Sequence, residues 1–97
     1  MSVASGSTTD AKSAVVAPGA LDTKTKELMA LAIAVSHRCD GCIASHARGA
    51  AKHGASEAEV AEAIGVAVLM TGGPATVYGP RALSAFKEYQ SSSPATP

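Results

Sequence analysis

Ser56-Glu57-Ala58-Glu59-Val60-Ala61-Glu62-Ala63-Ile64-Gly65-Val66-Ala67-Val68-Leu69-Met70 opens on a capping box and ends on an unbroken apolar run. Ser56 at the cap and Glu59 three residues on satisfy each other's backbone N–H groups, which fixes a helix start. From Ala63 to Met70 no polar side chain interrupts the helix. A helix that is apolar all round is buried all round. The foldable part of this 97-residue chain is too short to surround it, because a domain so small buries only about 60% of its unfolded surface. The stretch therefore predicts an all-α fold and an obligate homo-oligomer. Ala61 and Gly65, four apart, suit close contact between helices.

Reading outward, Gly72-Gly73-Pro74 ends this helix, and Pro74 suits the first turn of the next. That helix is expected over 74–89, with Tyr78, Leu83, Phe86 and Tyr89 as its larger residues and a kink or split at Gly79-Pro80. Tyr78 reads as core and Arg81 as a surface or interface charge. Upstream, Gly54 stops a helix that begins at Cys39 or Asp40 and reaches His53, with Asp40 or Ser36 as its cap. Gly49 in its middle costs about 1 kcal/mol against alanine, a cost that close approach of another helix would justify. Ser36 to Arg38 is a turn. Before it, Leu28, Leu31, Ala32 and Val35 recur at helical spacing over 23–35, with Asp22 as N-cap. The expectation is about four helices in one domain over 18–90. Residues 1–17 read as a disordered leader and 91–97 as a disordered tail.

Hydrophobic residues make up 46% of the chain and aromatics only 3%, so alanine carries much of the apolar content and favours close-packed helices. Formal net charge is zero, without a basic block or interleaved aromatics, which argues against nucleic acid as a partner. No apolar run reaches the roughly 18 residues of a membrane span. The first residues lack the pattern of a signal peptide, so a cytoplasmic location is expected. There, two cysteines three apart point to catalysis or metal binding before a structural crosslink.

Both cysteines and two of the three histidines lie in Ser36-His37-Arg38-Cys39-Asp40-Gly41-Cys42-Ile43-Ala44-Ser45-His46. On a regular helix at about 100° per residue, Cys42 and His46 fall at about 300° and 340° from Cys39. All three share one face. A helix N-terminus stabilises a thiolate at Cys39. His46, one turn after Cys42, can take the Cys42 proton. The two arguments favour different thiols. One thiol can attack while the other resolves, as peroxide reduction or disulfide exchange requires. A zinc clip would need a fourth ligand; His53 lies about 10 Å beyond His46 along the helix, and only His37 is local. Two inert buried thiols are the third reading. His37 and His53 read as structural or solvated.

The run Lys26-Glu27-Leu28-Met29-Ala30-Leu31-Ala32, then Cys39-Asp40-Gly41-Cys42-Ile43-Ala44-Ser45-His46-Ala47-Arg48, Gly54 to Ala63 and Gly72-Gly73-Pro74-Ala75 resembles the alkylhydroperoxidase AhpD-like branch of the carboxymuconolactone decarboxylase family. The likeness covers about Leu21 to Phe86. It implies an all-helical fold assembled as trimers or hexamers, and a thiol-dependent peroxidase or disulfide reductase. By the same likeness Cys42 attacks, Cys39 resolves, and His46 and Glu27 relay protons. AhpD proper has a second histidine directly before the second cysteine; here that position is Gly41.

The expected activity is reduction of hydroperoxides or disulfides, with an external dithiol as reductant and no cofactor or metal. Lactone decarboxylation, like that of the family's namesake, is the alternative chemistry. A non-enzymatic oligomeric binding protein with an inert dithiol is the third. In an antiparallel hairpin Glu27 stands about 15 Å from the turn and His46 about 10 Å. Either a modest offset of the two helices and a long side chain close that gap, or a neighbouring subunit supplies the carboxylate.

Overall fold

A computed structural model of the protein describes residues 8–92, with side chains from Ala11 onward. Five helices follow one another: α1 (Thr8–Val16), α2 (Thr23–Ser36), α3 (Asp40–Lys52), α4 (Glu57–Thr71) and α5 (Gly73–Ser92). No strand occurs among the described residues. The expected all-α architecture holds, with one helix more than expected.

α2 starts where its cap requires. Asp22 Oδ1 accepts the Thr25 N–H at 2.8 Å. It packs against α3, α4 and α5 and supplies Leu31, Ala34 and Val35 to the core. Its end turns sharply: Arg38 takes a left-handed φ of 56°, and the Cys39 N–H reaches back to the Ala34 carbonyl at 3.2 Å. A non-glycine residue in that region is uncommon. The result is an antiparallel α2–α3 hairpin whose turn delivers Cys39 in extended backbone to the start of α3.

α4 has the full capping box. Glu59 N–H donates to Ser56 Oγ at 3.1 Å, and Ser56 N–H donates to Glu59 Oε1 at 2.9 Å. The Ser56 N–H and then Lys24, 3.0 Å away on α2, hold the Glu59 carboxyl below its usual range. α4 and α5 approach closely because Gly79 has no side chain: a Cβ there would lie 2.7 Å from Ile64 Cγ2. Phe86 on α5 completes the fully buried centre with Leu31, Val35 and Val60.

Four expectations are corrected. Thr8–Val16, expected within a disordered leader, is helical; residues 1–7 lie outside the described residues. α1 lacks a strong apolar stripe and is held by contacts distant in sequence. Lys26 Nζ donates to the Val15 and Ala17 carbonyls at 3.0 and 2.8 Å, and Thr23 Oγ1 to Val16 at 2.7 Å. These cap orphan carbonyls at a helix end. α5 is not split at Pro80 but runs unbroken to Ser92, so the first two residues of the expected disordered tail are helical. Residues 93–97 lie outside the described residues. The α3 cap is Cys39, not Asp40 or Ser36. The second half of α4, by contrast, is left uncovered within one chain, as its apolar run implied. Val66, Leu69 and Met70 are exposed, beside exposed Ala61 and Gly65.

Candidate active site

The α2–α3 hairpin brings together residues far apart in sequence. Glu27 lies in the first half of α2 and is 3% exposed, one of two buried polar residues among those described. His46 faces it from α3, and its Nδ1 lies 2.6 Å from Glu27 Oε1. An ionised carboxylate only accepts, so Nδ1 carries the hydrogen, and in the neutral ring Nε2 is the basic nitrogen. The same chain supplies Glu27; no neighbouring subunit is required. The gap estimated from sequence is closed within one hairpin.

Gly49, one turn after His46, makes this contact sterically feasible. A Cβ at Gly49 would collide with Glu27 Cδ and both carboxylate oxygens. The sequence marked Gly49 as a place of close approach. What comes close is the carboxylate rather than a helix backbone.

At the other end of α3 the two cysteines are free thiols, Cys39 half-buried and Cys42 exposed. Cys39 Sγ caps the helix by accepting the Cys42 N–H at 3.3 Å. The Cys42 thiol and then that N–H hold the Cys39 thiol below its ordinary range, with a smaller opposing contribution from the adjacent Asp40 carboxylate. The same thiol–thiol interaction pushes Cys42 up, helped by desolvation. The electrostatics thus make Cys39 the more acidic thiol, the choice made by the helix-terminus argument. Among the described residues no hydrogen bond joins His46 to either sulfur.

A lowered pKa enlarges the thiolate fraction at any pH below it. Limiting iodoacetamide should therefore alkylate Cys39 first at pH 7, with a rate midpoint below the roughly 8.5 of a free cysteine. Peptide mass spectrometry over pH 5–10 reads this. Equal labelling of both thiols would show that the cap has no electrostatic effect.

Two hollows flank the His46–Glu27 pair. One, of about 630 Å³ between α1 and α2, is walled by Val15, Val16, Leu21, Met29 and Ile33 and reaches His46. The other, of about 530 Å³, reaches Glu27 and is edged by Lys12, Arg48 and Lys52. Arg81 pairs with Asp40 at 3.1 Å and stacks over Tyr78, 4.6 Å from the ring centre. It ties α5 to the first turn of α3, a link the sequence did not disclose. His37 and His53 are exposed, as expected. Among the described residues, no three His, Cys, Asp or Glu side chains converge to hold a metal.

The family model for the carboxymuconolactone decarboxylase family matches residues 6–88. The chain belongs to the carboxymuconolactone decarboxylase family. A family protein from Legionella pneumophila, solved in its apo form, superposes with a TM-score of 0.81 at 43% identity, covering 86% of this chain and 74% of that one. A family protein from Thermotoga maritima gives 0.78 at 37% identity, covering 87% of each chain. An uncharacterized protein of the Paracoccus denitrificans cox locus is 42% identical over 74 residues, or 76% of this chain. One from Cupriavidus necator is 38% identical over 68 residues, or 70% of this chain. The chain spans 67% and 60% of the lengths of these two relatives. The match begins at residue 6, so the family domain takes in α1 as well as the four helices expected from sequence. None of the described helices is long and apolar enough to cross a membrane.

Proposed function

We propose that this carboxymuconolactone decarboxylase family member is a thiol-dependent oxidoreductase that reduces organic hydroperoxides, with Cys42, Cys39, His46 and Glu27 as its working residues. The observation that carries the reading is the His46–Glu27 pair at 2.6 Å, one helical turn from a free dithiol. A buried carboxylate that orients an imidazole beside a nucleophile is the arrangement proton-managed thiol chemistry needs. The Thermotoga maritima relative carries a suggested link to an antioxidative response. The apolar hollow at His46 suits a hydrocarbon substituent better than hydrogen peroxide alone.

In this mechanism His46 Nε2 takes the Cys42 proton as the oxidant docks. The Cys42 thiolate attacks the terminal oxygen of the hydroperoxide, the O–O bond breaks, and the leaving alkoxide takes a proton from His46 to become an alcohol. Cys42 is now a sulfenic acid. The Cys39 thiolate, held by its cap, attacks the Cys42 sulfur, and the displaced hydroxide leaves as water after protonation. An external dithiol returns the disulfide to two thiols. On this reading Cys42 is the exposed attacking thiol, and the more acidic Cys39 resolves.

The exposed apolar stripe of Ala61, Gly65, Val66, Leu69 and Met70 supports assembly as a homo-oligomer, a trimer or hexamer, in which the stripe is covered. Incubation of the reduced protein with cumene hydroperoxide, followed by thiol counting, tests the activity. Loss of two thiols per chain with formation of one equivalent of alcohol is expected. Survival of both thiols together with turnover of a carboxymuconolactone would favour lactone decarboxylation. Survival of both thiols without turnover of either substrate would favour the inert binding protein.

A further inference from the structure

We propose that Gly49 is a positioning residue of the site: the space left by its missing side chain is the seat of the Glu27 carboxylate, and through that seat Gly49 fixes the proton held on His46 Nδ1. The catalytic consequence rests on the thiol-oxidoreductase reading; the seat itself does not.

The helical glycines of this chain are not alike. Gly41 and Gly65 have nothing within 4 Å of where a Cβ would stand. Gly79 meets an Ile64 methyl, an ordinary helix-packing contact. At Gly49 a Cβ would collide with a carboxylate, and one of the atoms struck is Glu27 Oε1, the oxygen bonded to His46. Ala47, Ala50 and Ala51 surround it on α3, so alanine is the local habit and glycine at 49 gives up helix propensity. Something must offset that loss. The buried contact is with a charged group, and that group is the histidine's only described hydrogen-bond partner.

A methyl at position 49 would push the Glu27 carboxylate aside. The hollow beside it is edged by Lys12, Arg48 and Lys52 and would accept a carboxylate. His46 would then lose the acceptor that selects its tautomer. Its ring would share the hydrogen between Nδ1 and Nε2, and a fraction of molecules would have no free base toward Cys42. Gly49 touches neither thiol nor oxidant on this account; it acts through Glu27 and then His46.

The full chain serves as the test, as wild type, Gly49→Ala, Glu27→Ala and the double variant. Three readouts are taken: the His46 tautomer from imidazole nitrogen shifts at pH 7.5, the thermal midpoint, and the rate of hydroperoxide-driven thiol loss between pH 5.5 and 9. Gly49→Ala alone should abolish the Nδ1-protonated signature and lower the rate at pH 7 by about tenfold or more. The deficit should shrink toward pH 9. In the Glu27→Ala background the same change should leave tautomer and rate within twofold and raise the thermal midpoint, since only the propensity gain remains. If Gly49→Ala does not fold, folding of the double variant supports the seat and its failure overturns it. Retention of the Nδ1 signature in Gly49→Ala, or an equal loss of rate in both backgrounds, also overturns it. A wild type without thiol loss defeats the oxidoreductase reading and leaves the tautomer and thermal-midpoint tests standing.

Discussion

Cys42→Ser abolishes hydroperoxide-driven thiol oxidation, leaving only the uncatalysed background. Cys42 is the exposed sulfur and the one a helical turn before His46. A serine hydroxyl there cannot be deprotonated to a comparable nucleophile, and it forms neither sulfenic acid nor disulfide. The remaining Cys39 keeps a thiolate-favouring cap geometry but has no base of its own. Cys39→Ser should behave differently. It should consume one equivalent of hydroperoxide per chain and stop, with a sulfenic acid on Cys42 that dimedone traps. Mass spectrometry of the labelled peptide gives the position. A dimedone adduct on Cys39 in the Cys42→Ser chain, with one equivalent of hydroperoxide consumed, would invert the two roles. That inversion has a specific source in the structure, the lowered Cys39 thiol, which makes the pair of single variants the decisive comparison.

His46→Gln lowers the rate of thiol oxidation at pH 7 by about 10²- to 10³-fold, within the usual range for a lost general base. Glutamine is chosen over alanine because Glu27 is 3% exposed. An unpartnered carboxylate there would cost about 1–3 kcal/mol of stability and blur the reading. The glutamine amide can donate toward Glu27 but has no basic nitrogen to take a proton. The pH dependence has a definite sign. Cys42 is pushed above the ordinary thiol range, so at neutral pH it is protonated and needs the base. As pH rises through that elevated value the thiolate forms unaided, and the deficit of His46→Gln should close. Stopped-flow thiol loss from pH 6 to 10 follows this. A deficit constant across that range would mean that His46 orients the site without moving a proton.

Local signals in this chain were legible because their causes are local. Asp22 caps α2, and Ser56 with Glu59 boxes α4, as three-residue spacings require. Cys39, Cys42 and His46 on one helical face followed from periodicity. What stayed hidden depends on partners distant in sequence. α1 has little apolar character, and its end is held by Lys26 and Thr23 from the next helix, so Thr8–Val16 read as a leader. Cysteine is a weak acceptor and an unusual cap, so Asp40 and Ser36 looked better. Glu27 alone reads as a first-turn carboxylate. Only the family register set it beside His46, and only the 2.6 Å contact shows that one chain suffices. Gly79-Pro80 predicts a kink or a split, yet α5 is not split there: it is packed through Gly79 and Ala82 on either side of Pro80, and that packing offsets one lost hydrogen bond.

The sulfur that caps α3 has a consequence for the redox poise of the dithiol. In the reduced protein Cys39 Sγ accepts the Cys42 N–H and gains from the helix N-terminus. In the disulfide that sulfur carries no negative charge, so the helix loses its electrostatic share of the cap. The fold therefore stabilises the reduced dithiol more than the oxidised one. Each factor of ten in that preference raises the two-electron reduction potential by about 30 mV. In the proposed dithiol cycle, an external dithiol should for that reason reopen the oxidised site readily.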